Sequence, residues 1–297
     1  MPEGHSIHRL AQQFESVFAG KRLAVSSPQG RFQAGSERID GTVLTDAHAH
    51  GKQLFLEFDN DLVLRVHLGL YGAWSFGGDS SFRGASSIGA PRRIGEQETP
   101  DDDDGTYEGP PAPVGAVRVR LVSDTGWADL RGPTACEVIT QGERAAVVAK
   151  LGPDPLNHES DATEFVRRIR RTRTSVGLSL MNQVVVSGVG NVYRAEALFR
   201  RRINPWLPGL SLGEVEALAL WADLEVLMAD GVRIGRIITT APSHRSKRVA
   251  DGGLVPVEEA HYVYKRTGLE CRICHTSISM SEMGARKLYW CPRCQAA

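Results

Sequence analysis

The stretch Cys271–Cys294, CRICHTSISMSEMGARKLYWCPRC, begins and ends with a Cys-x-x-Cys pair, and sixteen residues separate the two pairs. Two thiolate pairs on tight turns can converge as a tetrahedral set around one Zn²⁺. Four cysteine ligands leave no open coordination position, so such an ion is structural and takes no part in chemistry. We therefore predict a zinc-stabilised β-hairpin finger with Cys271, Cys274, Cys291 and Cys294 as ligands.

The segment between the two cysteine pairs ends in Arg286-Lys287-Leu288-Tyr289-Trp290, a basic and aromatic run. A strand of this composition can press against nucleic acid, because phosphates attract cations and bases stack on rings. A solvated strand with two packing aromatics has the same pattern, and this second interpretation stays open. His275 is predicted to be a surface residue, and Cys136, which stands apart from the other cysteines, a buried small hydrophobe.

Length and composition describe an ordinary soluble chain of 297 residues, 41% hydrophobic and 24% charged. That length fits two or three domains. No run approaches the roughly 20 apolar residues that cross a bilayer, so no membrane partner is expected. The start of the chain lacks the basic and then apolar stretch of a secretion signal, so we expect a cytoplasmic protein without disulfides.

The net charge is zero, which argues against a nucleic-acid partner because phosphate binding needs a basic surface. The distribution of charge weakens that argument. An acidic run over 96–108 offsets, in the net charge, the basic clusters at 167–173, 200–202 and 245–248. The local field of these clusters can still attract DNA.

The periodicity of apolar residues divides the chain into a β-rich first part and a helical second part. A helix is predicted over Ser6–Phe18, and alternating runs such as Gln53–Phe58 and Leu62–Val66 predict an antiparallel sheet that resumes at Val117–Val122. The segment 77–115, rich in Gly, Ser, Pro and Asp, predicts an inserted mobile loop. Further helices are predicted near 161–171, 175–186, 190–201 and 211–230, and a loop over 241–256.

Both ends of the chain carry motifs of one known family. Pro2-Glu3-Gly4-His5 at the start, combined with the four-cysteine hairpin at the end, resembles the formamidopyrimidine-DNA glycosylase/endonuclease VIII family. The similarity spans nearly the whole chain, and Leu70-Tyr71 and Tyr289-Trp290-Cys291-Pro292 are most similar to the endonuclease VIII branch. Matching interior blocks are Gly51-Lys52, His67-Leu68-Gly69-Leu70-Tyr71-Gly72, Leu151-Gly152-Pro153-Asp154-Pro155-Leu156, and Gln183 through Gly188-Val189-Gly190-Asn191-Val192-Tyr193-Arg194-Ala195-Glu196.

The resemblance implies an architecture that agrees with the periodicity. We expect an α+β multidomain protein with an N-terminal helix and antiparallel β-sandwich, a C-terminal helical helix-two-turn-helix domain, and a zinc β-hairpin finger. One structural Zn²⁺ is the expected cofactor. The predicted parts are an N-terminal catalytic domain over 1–135, a linker over 136–160, the helix-two-turn-helix DNA-binding domain over 161–245 and the zinc finger over 261–297.

The chemistry implied by the resemblance begins at Pro2, once Met1 has been removed. A secondary amine that attacks the sugar C1′ expels the damaged base and leaves an iminium, an electron sink that acidifies the C2′ proton. Elimination then breaks the 3′ phosphate bond, and a second elimination releases the 5′ side. Glu3 is implied to protonate the sugar ring oxygen and to shuttle protons. Without the resemblance, Pro2 would be a trivial N-terminal residue.

The resemblance also implies phosphate contacts that are spread along the chain. Lys52 would contact phosphate and donate a proton during β-elimination, and Arg286 would bind phosphate and act in δ-elimination. Asn191 follows Gly188-Val189-Gly190 at a helix start, where backbone donors attract anions. His67 is the fourth expected phosphate ligand. Taken alone, Lys52 would be a surface lysine.

An enzyme that acts on a base must take it out of the stack and fill the vacancy. Leu70 and Tyr71 are the expected wedge, although strand-core residues would show the same pattern. Arg131 matches the arginine that faces the orphaned base in the formamidopyrimidine branch, but Pro133 stands where that branch has Phe. Oxidised pyrimidines are therefore expected ahead of 8-oxoguanine.

The resemblance implies a base-excision-repair enzyme that acts on damaged DNA as a glycosylase and abasic-site lyase, and we expect it to be a monomer. The main alternative is a non-catalytic, damage- or structure-specific nucleic-acid-binding zinc protein on the same scaffold. A more remote one is a zinc-stabilised module associated with ribosomes or polymerases. Loss of Pro2, Glu3 or Lys52 would favour either alternative, and all three residues are present.

Overall fold

The computed structural model describes residues 2–90, 109–246, 249 and 254–296. The chain divides into two compact units, one over residues 1–150 and the other over residues 151–297. Met1, the acidic run 96–108 and Arg248 lie outside the described residues. Within the described ranges, no helix combines the length and the apolarity that a bilayer crossing requires.

Helix α1 (Gly4–Phe18) opens the first unit, and the predicted helix over Ser6–Phe18 is confirmed. Its apolar residues recur at helical spacing, and Leu10, Phe14 and Phe18 are fully buried. Fully burying a side chain of this size stabilises the fold by about 1.5–3 kcal/mol.

Nine strands and two short helices follow α1 in the described part of the first unit. They are β1 (Arg22–Ser26), α2 (Gln33–Ile39), β2 (Thr42–His50), β3 (Gln53–Phe58), β4 (Leu62–His67), β5 (Ala73–Gly78), β6 (Ser87–Gly89), β7 (Val117–Val122), β8 (Gly126–Arg131), β9 (Ala135–Thr140) and α3 (Gln141–Val148). The hydrogen-bonded order is β6-β5-β8-β7-β1-β2-β3-β4-β9, and every neighbouring pair is antiparallel. The predicted strands at β3, β4 and β7 are confirmed.

The two halves of this strand order share one apolar core with α1. Leu56 of β3 and Trp74 of β5 belong to the same buried cluster, and the rings of Phe14 and Trp74 meet edge to face at 4.8 Å. Alternate residues of β3 point the other way, so that Phe55 packs under α3. The predicted antiparallel β-sandwich is confirmed.

Two segments of the first unit differ from their sequence interpretation. The segment 77–115 is not a loop throughout, because it completes β5, contains β6 and contributes Phe82 and Ile88 to the core. The segment 136–160 is not a linker throughout, because it contains most of β9 and all of α3. Pairing of β9 with β4 decides this, and no local sequence signal reports a strand's distant partner.

The second unit is helical and ends in a two-stranded hairpin. Its elements are α4 (Ala162–Ile169), α5 (Val176–Ser179), α6 (Asn191–Arg200), α7 (Glu214–Ile234), β10 (Ser279–Glu282) and β11 (Lys287–Trp290), with 3₁₀ turns at Gly209–Ser211, Pro242–His244 and Val257–Glu259. The predicted helices at α4, α6 and α7 are confirmed. Together with the hairpin they confirm the predicted fold class.

The predicted helix over 175–186 is wrong beyond its first turn, since α5 ends at Ser179. The side-chain amide of Gln183 forms hydrogen bonds with the backbone, and these bonds stabilise a loop where the helix was predicted. Its Oε1 accepts from the Gly188 N–H at 3.0 Å, and its Nε2 donates to the Val189 carbonyl at 3.1 Å. These bonds shape the loop that leads into α6.

Candidate active site

Pro2 and Glu3 lie directly before α1. Glu3 is the N-cap residue, is fully buried, and accepts a hydrogen bond from the Ser6 N–H on its carbonyl at 3.0 Å. A helix N-terminus presents unpaired N–H groups and a partial positive charge, so this position favours an anion. The structure therefore holds an imino acid and a carboxyl group side by side at a point suited to phosphate.

Lys52 occupies the two-residue turn between β2 and β3, whose last pair is His50 and Gln53. Gly51 has a φ of 57°, while Lys52 has no positive φ. A positive φ at the first central residue followed by a negative φ at the second is the pattern of a type II′ turn, which asks for glycine in the first place. The sheet and the turn together fix the backbone of Lys52.

His67 ends β4, and the antiparallel register of β3 and β4 brings this end beside the Lys52 turn. The Nδ1 atom of His67 accepts from the Gly69 N–H at 3.1 Å, which leaves the ring proton on Nε2. Burial lowers the pKa of His67, and the positive charges of Lys52 and Arg65 lower it further. His67 is therefore neutral at neutral pH and offers one N–H donor.

Leu70 and Tyr71 lie on a tight turn that the Gly72 N–H closes by donating to the Leu68 carbonyl at 2.9 Å. The turn exposes 43% of Leu70 and 65% of Tyr71, whereas Leu68 is 1% exposed. The interpretation of Leu70 and Tyr71 as strand-core residues is wrong. Exposed apolar side chains on a rigid turn have the properties that a wedge requires.

Arg131 is engaged by its own sheet and by the segment that precedes β7. Its Nε donates to the Val114 carbonyl at 2.7 Å, its Nη1 to Ser75 Oγ at 3.0 Å, and its Nη2 to Asp129 Oδ2 at 3.2 Å. A guanidinium held at three points is not poised to face a base in DNA. The role in DNA binding that the resemblance implied for Arg131 remains a prediction, and this geometry does not favour it.

Asn191 begins α6 in the second unit and is almost fully buried. Its Nδ2 donates to the Lys287 carbonyl at 2.9 Å, so the side chain ties the start of the helix to β11. The helix N-terminus supplies backbone donors of the kind that bind phosphate. The structure thus brings Asn191 to the hairpin on which Arg286 lies.

Arg286 follows a turn whose two central residues, Gly284 and Ala285, have φ values of 61° and 55°. Positive φ at both positions defines a type I′ turn, which matches the twist of the two strands. The Met283 N–H donates to the Arg286 carbonyl at 2.9 Å and closes the hairpin. Arg286 is therefore fixed at the start of the return strand.

The four predicted cysteine ligands converge in the second unit, with all of their sulfur atoms within 4.8 Å of one another. Cys271 and Cys294 are 3.9 Å apart and Cys274 and Cys291 3.4 Å apart, measured between Sγ atoms. Four Zn–S bonds of about 2.3 Å in a tetrahedron separate sulfurs by about 3.8 Å. The site fits zinc in both donor type and spacing.

Backbone donors support the two cysteine turns. The Ile273 N–H points at Cys271 Sγ at 3.5 Å and the Cys294 N–H at Cys291 Sγ at 3.4 Å. Donors of this kind orient thiolates and moderate their charge. Gln295, fully buried, accepts from the Cys291 N–H at 3.0 Å and so anchors the second turn.

The two remaining predictions for this chemistry are also resolved. Cys136 lies in β9 and packs against the core as a partly buried residue, so the prediction of a buried small hydrophobe holds only in part. Burial raises the pKa of its thiol to about 12, so the thiol is inert. His275 is a surface residue, as predicted, with its side chain 78% exposed.

The basic clusters of the second unit are partly neutralised. Glu164 pairs with both Arg167 and Arg168, and Asp223 accepts a fork of hydrogen bonds from Arg200. The sequence shows how many cations each cluster contains but not which of them already have a partner. The exposed members without an ion pair among the described residues are Arg171, Arg173, Arg201 and Arg202.

Two buried charged residues of α6, Arg194 and Glu196, belong to a block that matches the family, but the sequence interpretation gave neither of them a function. The Glu196 carboxylate accepts from three consecutive backbone N–H groups, those of 262–264, at 2.7–2.8 Å, and also from the Thr239 hydroxyl. Arg194 bonds to the hairpin. Charged residues on a helix whose other faces are apolar were the available signal, since such residues are rarely buried without partners.

Comparisons with known proteins agree along the whole chain. The formamidopyrimidine-DNA glycosylase N-terminal domain matches residues 1–131, the formamidopyrimidine-DNA glycosylase H2TH domain matches 151–243, and the zinc finger found in FPG and IleRS matches 268–297. The three matches follow one another in the order of the β-rich unit, the helices and the cysteine hairpin.

Several relatives match this chain over its full length. Endonuclease 8 1 of Mycobacterium tuberculosis and that of Mycobacterium bovis are each 43% identical over 298 residues, which cover 99% of this chain and 100% of the relative. The formamidopyrimidine-DNA glycosylase of Acidovorax ebreus is 28% identical over 308 residues, 100% of both chains.

Solved structures of the Lactococcus lactis formamidopyrimidine-DNA glycosylase share the fold. One, non-covalently bound to DNA that contains an AP site, has a TM-score of 0.73 at 19% identity and covers 99% of this chain and 100% of that one. Another, with DNA that contains FAPY-dG, has a TM-score of 0.74 at 19% identity and covers 99% of both chains.

Proposed function

The chain belongs to the formamidopyrimidine-DNA glycosylase/endonuclease VIII family of DNA glycosylases with abasic-site lyase activity, and we propose that it removes oxidised bases, pyrimidines foremost, through Pro2. The observation that carries the proposal is the placement of Pro2 and Glu3 together at the N-terminus of α1. The full-length similarity to endonuclease 8 1 of two mycobacteria supports it.

In the proposed reaction the Pro2 nitrogen attacks the sugar C1′, and the bond from C1′ to the damaged base breaks. The base leaves with the bonding electron pair and takes up the proton that the nitrogen gives up. The ring oxygen then leaves C1′ and takes a proton from Glu3, and an iminium joins Pro2 to the opened sugar. Loss of the C2′ proton breaks the bond to the 3′ phosphate. A second elimination breaks the bond to the 5′ phosphate.

The other residues of the first unit would hold the DNA during these steps. Lys52 and His67 would bind phosphate, the lysine as a cation and the histidine through its Nε2–H, because burial keeps the pKa of His67 low. The exposed pair Leu70 and Tyr71 would enter the space left by the flipped base.

The second unit would contribute its own phosphate contacts. Asn191 and the start of α6 supply donors, and Arg286 supplies a cation at the hairpin. One zinc ion, held by Cys271, Cys274, Cys291 and Cys294, would supply no step of the chemistry and would keep the hairpin in shape.

The preference for oxidised pyrimidines rests on Arg131. Its hydrogen bonds to Ser75 and Asp129 of the sheet and to the Val114 carbonyl before β7 occupy the guanidinium that would otherwise read the orphaned base. Parallel excision assays on thymine glycol, 5-hydroxyuracil, dihydrouracil and 8-oxoguanine test this preference. Faster removal of 8-oxoguanine than of all three pyrimidines would contradict it. A monomeric state and a cytoplasmic location stay predictions.

Borohydride reduction tests the nucleophile. With DNA that contains an abasic site, protein that begins at Pro2 is expected to form a covalent adduct, which mass spectrometry places on the N-terminal peptide. The matched control is the same protein with one residue before Pro2, whose nitrogen is then an inert amide. Equal trapping by both forms, or an adduct on a lysine, would refute the role of Pro2.

A variant separates binding from chemistry. Pro2→Gly is expected to bind abasic-site DNA as the unaltered protein does and to lose most base excision, because its primary amine is a different nucleophile. If the unaltered protein binds damaged DNA but neither traps nor excises, the non-catalytic alternative replaces the proposal.

A further inference from the structure

Arg194 lies in the first turn of α6 and is among the largest side chains that are fully buried. Removing a guanidinium from water costs several kcal/mol unless protein groups replace the lost hydrogen bonds. Hydrogen-bond partners that offset this desolvation cost also hold the side chain in a defined position. The partners of Arg194 therefore indicate its role.

The guanidinium of Arg194 spans the turn that presents Arg286. Its Nη1 donates to the Met283 carbonyl and its Nη2 to the Lys287 carbonyl, each at 3.4 Å. Met283 precedes the left-handed pair Gly284 and Ala285, and Lys287 directly follows Arg286. One planar group therefore contacts both limbs of this turn.

The same group also fixes Asn191. Its Nη2 donates to Asn191 Oδ1, and Asn191 Nδ2 in turn donates to the Lys287 carbonyl at 2.9 Å. Arg194 thereby sets which way the amide of Asn191 points, with its oxygen toward the guanidinium and its nitrogen toward the hairpin. The two phosphate-binding residues assigned to the second unit are joined through one side chain.

We propose that Arg194 is a positioning residue for the second elimination, because it holds Arg286 and Asn191 in one fixed arrangement. The proposal rests on the roles given above to those two residues. Arg194 itself need not touch DNA, and it leaves the attack by Pro2 to the first unit. Its loss affects the δ-elimination more than the formation of the iminium.

The planar fork of arginine is what this position uses. Lysine keeps the charge but concentrates it on one nitrogen, which does not reproduce a fixed pair of donors aimed at two carbonyls. Methionine fills a similar volume and removes every donor. The two variants therefore separate charge from geometry.

The experiment uses the full chain loaded with zinc and DNA that contains one abasic site. Arg194→Lys and Arg194→Met are compared with Arg200→Met, a matched control on the same helix whose guanidinium forks onto Asp223 instead of the hairpin. Three quantities are measured: the ratio of δ- to β-elimination product, the yield of borohydride-trapped adduct, and the thermal midpoint with bound zinc.

Both Arg194 variants are expected to lower the δ to β ratio by about tenfold, which equals about 1.4 kcal/mol, and to keep the trapped adduct. Arg200→Met is expected to lower the thermal midpoint and to leave the ratio unchanged. An unchanged ratio in a folded, zinc-loaded Arg194 variant overturns the proposal, as does an equal fall in Arg200→Met.

Two further outcomes are also decided by this design. If Arg194→Met does not fold or does not hold zinc, the same ratio measured in Arg194→Lys supports or overturns the proposal. If the unaltered protein traps no adduct, the proposed function itself fails and this inference falls with it. A failure of Arg194 alone leaves the trapped adduct in place.

Discussion

Two hairpins present the two cations that the proposed reaction uses, and they are built by different means. The hairpin of β2 and β3 carries Lys52 within a sheet of nine strands. The hairpin of β10 and β11 carries Arg286 and has only two strands, which are at best marginally stable in water. Its shape depends on four thiolates at one end and on buried side chains of α6 at the other.

The difference shows which interactions hold each of the two cations in position. Backbone pairing and an apolar core support the turn that carries Lys52. For Arg286, polar and metal-binding side chains replace the missing sheet. Damage to one group should therefore cost far more at the second hairpin than at the first.

Loss of zinc should have the largest effect, and it should disrupt the second hairpin while the first stays intact. Apparent binding energies of structural zinc sites are about 10–16 kcal/mol, more than a two-stranded hairpin can replace. Cys291→Ser is expected to lose zinc and to abolish measurable binding to abasic-site DNA, while the first unit stays folded by circular dichroism. Cys136→Ser is the matched control and should keep both zinc and affinity. Retained DNA affinity in zinc-free Cys291→Ser would show the finger to be dispensable.

Removal of Lys52 or of Arg286 should affect different elimination steps. Lys52→Ala is expected to slow β-elimination on the order of 100-fold, as loss of a positioned proton donor does. Arg286→Ala is expected to spare β-elimination and to reduce the δ product, because it acts in the second step.

Single-turnover product analysis on abasic-site DNA measures both rates. Lys150→Ala, at an exposed lysine of the same unit as Lys52, controls for loss of one surface charge. Equal β-elimination rates in Lys52→Ala and Lys150→Ala would remove Lys52 from the mechanism.

Acid should weaken the sheet-based region through His5 of α1. Burial, aided by the charges of Arg9 and His8, lowers the pKa of His5 from 6.5 to about 3. The unfolded chain therefore binds a proton that the folded chain excludes, and stability is full above pH 6.5 and falls as the pH drops from 6.5 toward 3. The expected loss is about 1 kcal/mol between about pH 6.5 and about pH 5.5, because the unfolded chain is already half protonated at this site at the upper pH.

Chemical unfolding at about pH 7.5, 6.5 and 5.5 measures this effect. His5→Gln should flatten the decline, whereas His8→Gln, at a half-exposed position, should leave it in place. A decline of the same steepness in His5→Gln would assign the effect to other groups.

Substitutions in the two turns should have the smallest effects on stability, and these effects should have opposite signs. Gly51 adopts a φ of 57°, so Gly51→Ala is expected to cost about 1 kcal/mol at the first hairpin. Ala285 already has a φ of 55°, so Ala285→Gly is expected to relieve about 1 kcal/mol at the second. Thermal unfolding monitors both changes. A midpoint that moves in the same direction in both variants would contradict the turn geometry.

Local patterns predicted much of the fold, because they act through short-range rules. Alternation predicted β3 and β7 to the residue, and helical spacing predicted α1, α6 and α7. The short end of α5 escaped prediction because Gln183 turns back on the backbone, and β9 escaped it because its partner β4 is far away in sequence.

The candidate site shows the same division. Two Cys-x-x-Cys pairs with their spacing are a short motif, so the sequence alone predicted the four cysteines that converge in the structure. The roles of Pro2 and Glu3 came from the resemblance to the family and stay predictions. Only the tertiary structure decided that Arg131 is occupied, that Leu70 and Tyr71 are exposed, and that Arg194 spans the Arg286 turn. The physical reason is that burial and hydrogen-bond partners depend on residues distant in the chain, which no local pattern specifies.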